Sequence, residues 1–162
     1  MHPTDFIGRS LPPLTVVVER GPVAAFARAV KDNSEVYQRP AAAREAGLNG
    51  LPVPPTFSFV MRWWGAFGEL QPEVPAGTVE LDDLIGALRA DGGLILHADQ
   101  QFVYLAPIVV GDVLQVSRVV EDVYTRPSRG GQTMTFARIR TDVRDDADHL
   151  VLTETMTLLH RP

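Results

Sequence analysis

The chain has no cysteine, which excludes a disulfide framework and any cysteine-based metal site. Its histidines do not fall at metal-ligand spacing, so no metal site is expected. No apolar run approaches the ~20 residues that a membrane-spanning helix needs, and no membrane association is expected. Basic residues are outnumbered by acidic ones, and the formal net charge of −5 argues against a nucleic-acid-binding surface.

The remaining composition is typical of a globular protein, with 45% hydrophobic and 22% charged residues. A length of 162 residues suits one domain with its own core, so residues 1–162 are expected to form a single domain. The N-terminus lacks the basic-then-apolar layout of a signal peptide, and the cytoplasm is therefore the expected location.

Helix-like patterns dominate the first half of the chain and strand-like patterns the second. A β-branched run over residues 14–18 predicts one strand, after which apolar residues recur at helical spacing over 22–30. A second short helix is expected over 40–46, with Gly47 ending it. Apolar or alternating runs bounded by turn residues predict four more strands, over residues 94–105, 113–124, 133–143 and 150–160.

The segment from Thr56 to Phe67 is apolar nearly all round, which is typical of a buried helix. Prolines just before it fix the backbone and favour an abrupt helix start. A curved antiparallel sheet wrapped about this helix would cover all of its faces. The pattern therefore predicts an α+β protein with a single hotdog fold, in which about five antiparallel strands curve around a long central helix.

Four blocks of sequence occur in an order and spacing that match a known family. They are Phe26 to Tyr37, Ala41 to Gly47, Pro54 to Phe57, and Leu96 to Tyr104 followed by Pro107 and Gly111-Asp112. On these blocks, which span nearly the full length, the chain resembles the MaoC-like hotdog hydratases. More narrowly, it resembles the N-terminal, FAS1-like half of two-hotdog dehydratases and the matching subunits of heteromeric (3R)-hydroxyacyl-thioester dehydratases.

The first block corresponds to the catalytic loop of that family, written Gly-Asp-x-Asn-Pro-x-His. The resemblance places Asp32 on the family's aspartate and Tyr37 where the family has its catalytic histidine. Tyrosine is the usual replacement in the noncatalytic-type subunits. With an unperturbed pKa of about 10, it can hydrogen-bond a thioester or a water but transfers protons slowly at neutral pH. Asp32 is a candidate acid/base, and the alternative is a loop or capping role beside Lys31.

The third block corresponds to the family's central-helix start, where a glycine amide polarises the thioester carbonyl. The resemblance puts Pro55 on that glycine, and proline has no N–H to donate. Loss of this donor is expected to remove about 2.7–4 kcal/mol of transition-state stabilisation. A shift of the alignment by one residue would leave the Thr56 amide available. The alternative for Pro54-Pro55 is a stiff helix start without a catalytic role.

Two residues on a predicted strand, His97 and Asp99, are expected to point to one face, since side chains alternate along a strand. They are either a general base with its orienting carboxylate or a structural pair at a subunit interface. The same alternation puts Gln100 on the opposite face and Gln101 on the His97 face.

The resemblance makes Pro55, Thr56 and Gln100 candidate substrate-binding residues. One of the tryptophans, Trp63 or Trp64, is expected to line an acyl pocket, the alternative being a core position. A large side chain at Gly65 is expected to narrow the same pocket.

These residues predict a subunit of an (R)-specific enoyl-thioester hydratase or 3-hydroxyacyl-thioester dehydratase of fatty acid metabolism, acting on acyl-CoA or acyl carrier protein. A MaoC-like partner would supply the intact Asp/His dyad, and no cofactor is expected. One alternative is a self-sufficient homodimer that uses Asp32 with Tyr37 or His97. Others are a noncatalytic acyl-thioester binding protein and a thioesterase, since one fold hosts many functions.

Overall fold

A computed structural model describes residues 1–162, which form an α+β fold with one five-stranded sheet. The strands are β1 (Ser10–Val17), β2 (Leu94–Tyr104), β3 (Val113–Pro127), β4 (Thr133–Arg144) and β5 (Leu150–Arg161). The α-helices are α1 (Arg20–Ala29), α2 (Pro40–Glu45), α3 (Arg62–Gly65) and α4 (Leu81–Leu88). Short 3-10 turns are formed by Pro3–Phe6, Glu35–Tyr37, Phe57–Phe59 and Gly68–Leu70. No helix is both long enough and apolar enough to cross a membrane.

The sheet has the strand order β1-β3-β4-β5-β2, and all neighbouring pairs are antiparallel. The last three strands form a meander, while β1 and β2 lie at opposite edges. All five strands overlap the runs predicted from the sequence, and β1 and β3 are longer than expected. The fold class predicted from the sequence, a hotdog with an antiparallel sheet, is confirmed.

The core lies between the inner face of the sheet and the helical segments. One cluster of 12 buried residues packs Phe57 and Met61 against β1, β3 and their neighbours. A second cluster of 10 packs Phe6, Leu84 and Leu88 against the other end of the sheet. The helical layer contacts the sheet through these two separate clusters. A space therefore remains between them, above the middle of the sheet.

The central segment differs from the long helix expected over 56–67. It consists of the 3-10 turn Phe57–Phe59 and the four-residue helix α3. Prolines precede the segment, and several of its amides donate to the carbonyl three residues back, as Phe57 does to Pro54 and Val60 does to Phe57. The segment therefore buries only one side, and the tryptophans Trp63 and Trp64 are 59% and 45% exposed.

Gly65 ends this segment against the backbone of β1. A Cβ atom at this position would lie 2.1 Å from the Val17 carbonyl oxygen and 2.9 Å from Val16 Cγ1. The expectation that a larger side chain at Gly65 narrows an acyl pocket is therefore wrong. The space that a side chain at Gly65 would fill is occupied by the main chain of β1. A substitution there would therefore displace α3 from β1.

The edge strand β2 exposes several apolar side chains on its outer face, beside the polar Asp99 and Gln101. Leu94, Leu96 and Val103 are exposed there, and Leu105 continues the apolar surface just beyond the strand. Exposed apolar edges of this kind pair readily with another chain because their backbone groups lack strand partners on one side. The sheet can therefore be extended through β2.

Candidate functional site

The loop after α1 holds the two residues that the resemblance placed together. Lys31 has a left-handed φ of 59°, and the following amide, that of Asp32, donates to the Ala27 carbonyl at 2.9 Å. Asp32 Oδ1 in turn accepts from the Ser34 amide at 3.0 Å. This Asx turn fixes the loop and occupies one carboxylate oxygen. Asp32 thus has a clear structural role, which was the alternative considered for it.

Tyr37 lies at the end of the 3-10 turn that follows, within electrostatic range of Asp32. Burial raises the pKa of the Tyr37 phenol, and the Asp32 charge raises it further. The phenol therefore remains protonated at neutral pH. It can donate a hydrogen bond to a carbonyl or water, but it cannot accept a proton as histidine does.

On β2, His97 is separated from Asp99 by a β-bulge. His97 pairs with Leu158 but Asp99 pairs with Thr157, so Ala98 is the extra residue and the alternation reverses. The expectation that the His97 and Asp99 side chains share a face is therefore wrong. The His97 ring instead contacts the Asp99 carbonyl at 3.1 Å and lies 5.3 Å from the Phe59 ring.

The bulge also changes the face of the two glutamines. Gln100 pairs with Met156 and Gln101 with Thr155, so Gln100 lies on the inner face with His97. The expected assignment of Gln101 to the His97 face is wrong for the same reason. No group of three or more His, Cys, Asp and Glu side chains is arranged to hold a metal ion.

The start of the central segment borders an open pocket of about 380 Å³. Its lining includes Pro55 and Tyr104, and the Tyr104 hydroxyl donates to the Pro55 carbonyl at 2.7 Å. Pro55 has no amide to offer, as the resemblance implied. The exposed Thr56 donates its amide to no group of the chain and is the nearest free N–H along the segment.

A second cavity, of about 130 Å³, lies between the inner face of the sheet and the central segment. Most of its lining is apolar, and Phe59, Met61 and Met156 contribute. The polar side chains of the lining are those of Ser58, Arg62, Gln100, Arg118, Thr141 and Glu154. We refer to this space as the inner cavity. Neither tryptophan lines it: Trp63 packs under the Arg62 guanidinium at 4.5 Å, and Trp64 stacks on Phe57.

Glu154 is the most unusual group of the inner cavity. It is 6% exposed, and its carboxylate oxygen Oε2 accepts only a long hydrogen bond of 3.4 Å from Gln100 Nε2. Burial raises the pKa of Glu154, while the nearby Ser58 hydroxyl and the Arg62 guanidinium partly offset the rise. The carboxyl therefore takes up a proton more readily than an exposed glutamate does.

Tyr104 connects the two spaces. Burial raises the pKa of Tyr104, the adjacent Ser58 hydroxyl lowers it, and the charges of Glu154 and Tyr37 raise it. Tyr104 lines the open pocket and lies on the inner face of β2, two residues from Phe102, which is paired with Glu154. The open pocket and the inner cavity are thus neighbouring parts of one region.

Sequence reasoning did not single out Ser58, Tyr104 or Glu154. A signal for Glu154 was available, because it alternates with Leu152, Met156 and Leu158 on the apolar side of the last strand. A lone carboxylate in an apolar stripe is either paired or functional, since burial of an unpaired charge is costly. No comparable signal exists for Ser58, which lies in a segment without regular periodicity.

The raised pKa of Glu154 predicts a pH-dependent stability. The folded state holds this proton more tightly than the unfolded state, whose carboxyl has a pKa near 4.5. The free energy of unfolding should therefore fall as pH rises from about the unfolded-state value through the raised one. Glu154→Gln should remove this decline, and thermal melts of both proteins between pH 4 and 8 would check it. A melting-temperature difference that stays constant across this range would contradict the assignment.

The family of the chain follows from its similarity to known sequences. The model of the FAS1-like dehydratase domain region matches residues 5–154, and the chain belongs to this family. A UPF0336 protein of Streptomyces avermitilis is 32% identical over 158 residues, covering 97% of this chain and 93% of that protein. The resemblance to hotdog dehydratases found in the sequence is thereby confirmed.

Two solved complexes from Mycobacterium tuberculosis share the fold. A chain of the C-terminally truncated HadBC complex, a (3R)-hydroxyacyl-ACP dehydratase, superimposes with a TM-score of 0.70 at 24% identity, covering 96% of this chain and 98% of that one. A chain of the ChsH1–ChsH2 complex superimposes with a TM-score of 0.72 at 20% identity, covering 93% and 83%. Identities this low establish the architecture alone.

Proposed function

We propose that the chain is the substrate-binding subunit of an (R)-specific 3-hydroxyacyl-thioester dehydratase or enoyl-thioester hydratase. The observation that supports the proposal is the raised pKa of Tyr37, which burial and the Asp32 charge keep protonated, at the position where the resemblance puts the family's proton-transferring histidine. A MaoC-like partner with an intact Asp/His dyad would perform the acid/base chemistry. The membership of the FAS1-like dehydratase family supports this assignment.

The two neighbouring spaces suggest how an acyl thioester would lie. The carbonyl end would occupy the open pocket, beside Pro55. The tail would pass Tyr104 into the inner cavity, where Gln100 and the apolar lining would contact it. The exposed Trp63 and Trp64 would contribute to substrate binding only where a partner subunit covers them.

The exposed apolar side chains and the free edge of β2 support association with a second hotdog. Joining two sheets edge to edge would continue the strand hydrogen bonding across both chains. HadBC and ChsH1–ChsH2 are both complexes, which supports a hetero-oligomer over a homodimer as the working state. The homodimer that uses Asp32 with Tyr37 or His97 is less well supported, because His97 contacts neither residue.

A charge at the β2 edge is expected to disrupt this association. Val103 is 56% exposed on the edge strand, and Val74 is 58% exposed in the Pro-rich segment before α4. Val103→Lys should weaken assembly at least about tenfold, or 1.4 kcal/mol, because a lysine there must lose hydration at the interface. Val74→Lys serves as the matched control and should leave assembly unchanged.

Light scattering on the chain alone and co-purified with its partner would measure the effect. The partner to test is a hotdog hydratase of the same genome whose loop reads Gly-Asp-x-Asn-Pro-x-His. A stable 17.8 kDa monomer at micromolar concentration in both preparations would argue against the proposed assembly.

A noncatalytic acyl-thioester binding protein is the second candidate. The observations in its favour are the same two departures from the catalytic pattern, Tyr37 and Pro55. Binding of crotonyl-CoA without turnover, both alone and with the partner present, would favour this function over a dehydratase subunit.

A further inference from the structure

The unpaired polar atoms of the protein are concentrated in one place. Four buried side-chain atoms make no hydrogen bond: Ser58 Oγ, Gln100 Oε1, Arg118 Nε and Glu154 Oε1. All four belong to residues that line the inner cavity. Native proteins leave few such groups, and each one calls for a physical explanation. Their convergence on one cavity indicates an occupant that would satisfy them.

Strand register arranges part of this lining as a row across the floor of the cavity. Arg118 on β3 is paired with Thr141 on β4, and Thr141 is paired with Glu154 on β5. Two strand spacings separate the ends of the row, about 10 Å between Cα atoms. Arg118 and Glu154 form no ion pair with each other, and Arg118 uses one guanidinium nitrogen to donate to the Pro12 carbonyl.

The chemistry of the unpaired atoms defines the occupant. Glu154 Oε1 and Gln100 Oε1 need a hydrogen-bond donor, Arg118 Nε needs an acceptor, and Ser58 Oγ can serve as either. A hydroxyl both donates and accepts. Apart from Arg62 and Thr141, the rest of the lining is apolar, with residues such as Leu14, Ile85 and Val116, and suits a hydrocarbon chain. A chain with one oxygen substituent fits both parts of this lining.

We propose that the inner cavity selects acyl chains bearing a hydroxyl group away from the thioester end, with Glu154 and Gln100 accepting its hydrogen bond. This inference rests on the proposed function, because it assumes that an acyl tail enters the cavity. The hydroxyl in question is distinct from the one at C3 that the dehydration removes. C3 would lie by the partner's dyad, outside the inner cavity. Glu154 and Gln100 are then specificity-determining residues and take no part in the chemistry.

The test compares decanoyl-CoA with a series of decanoyl-CoA derivatives hydroxylated at one carbon between C5 and C9. Isothermal titration calorimetry on the complex with the hydratase partner would measure each affinity. At least one hydroxylated derivative should bind about tenfold or more tightly than decanoyl-CoA, since a site with unpaired polar groups disfavours an analogue that cannot satisfy them. Glu154→Leu should abolish that preference while retaining decanoyl-CoA binding.

Thr155→Val, on the outer face of the same strand, is the matched control and should keep the preference. Gln100→Leu provides a second variant should Glu154→Leu fail to fold, and it should weaken the preference in the same direction. A thermal melt of Glu154→Leu gives an independent readout: an unchanged or higher melting temperature is expected, because an apolar side chain replaces an unpaired buried carboxyl.

The possible outcomes separate this inference from the proposed function. Equal affinity for plain and hydroxylated chains, or an undiminished preference in Glu154→Leu, would overturn the inference, with ordered water then filling the polar part of the cavity. Binding of both ligands would still leave the dehydratase proposal in place. If the complex bound no acyl-CoA of either kind, both proposals would be overturned.

Discussion

Purified on its own, the chain is expected to hydrate crotonyl-CoA on the order of 10⁴-fold more slowly than its complex with a catalytic hotdog. Replacement of a positioned acid/base typically lowers a rate 10²–10⁴-fold, roughly, and loss of an oxyanion donor lowers it about 10²–10³-fold. In this chain the acid/base is replaced and the oxyanion donor is missing. Tyr37 holds its proton because burial and Asp32 raise its pKa, and Pro55 has no amide to polarise the carbonyl.

The measurement is a steady-state hydration assay on the chain alone and on the co-purified complex. Turnover by the pure homo-oligomer near the enzyme median of ~10 s⁻¹ would refute the partner-subunit role. Tyr37→His should not restore activity to the isolated chain, because the carbonyl-polarising donor would still be absent. Restoration to the level of the complex would show that the Thr56 amide already serves as that donor.

Asp32→Asn in the complex is the matched control for where the chemistry occurs. The introduced asparagine would retain the side-chain oxygen that accepts from the Ser34 amide, so the Asx turn is expected to survive. The change should reduce kcat/KM less than about tenfold, or 1.4 kcal/mol. The equivalent aspartate-to-asparagine change in the partner should reduce it far more. A complex that stays assembled but loses activity on Asp32→Asn would assign the acid/base to this chain.

The parts of the fold with strong periodicity could be predicted from the sequence. Alternation in the last three strands and turn residues between them located β3, β4 and β5 closely. Helical spacing located α1, and an Ala-rich stretch ending at Gly47 located α2. These signals are local, since each depends only on which face of a single element is buried, and tertiary contacts did not override them.

The conformation of the central segment could not be predicted because its apolar residues lie in two different environments. Phe57 and Met61 are buried against the sheet, whereas Trp63 and Trp64 are largely exposed. An apolar side chain that faces solvent in one chain cannot be distinguished by pattern from one that faces the core. A contact surface for a partner subunit has the same composition as a core.

The site was predicted in part for a similar reason. Asp32 and Tyr37 lie in one short loop, and the Asp32 charge raises the pKa of Tyr37. His97 and Asp99 do not share a face, because one bulged residue reverses the strand alternation and leaves no mark in the sequence. Tyr104 and Glu154 are far apart in the chain, and only the pairing of β2 with β5 brings their surroundings together.

Gly65→Ala is expected to destabilise the protein by about 3 kcal/mol, the upper part of the range for overpacking substitutions. The added Cβ would lie 2.1 Å from the Val17 carbonyl oxygen, a main-chain atom that cannot rotate away as a side chain can. Either α3 moves outward and opens the inner cavity, or β1 shifts and strains its pairing with β3. For a chain of this length, such a change lowers the melting temperature by about 6–12 °C.

Gly68→Ala is the matched control because it lies three residues further along and has no atom within 4 Å of its added Cβ. It should change the free energy of unfolding by less than about 1 kcal/mol, the range for glycine replacement at a compatible site. Thermal melts of both variants would measure the difference. Equal melting temperatures would mean that α3 does not pack against β1 as described. Because the inner cavity lies between α3 and the sheet, that result would also remove the enclosed space in which an acyl tail is proposed to bind.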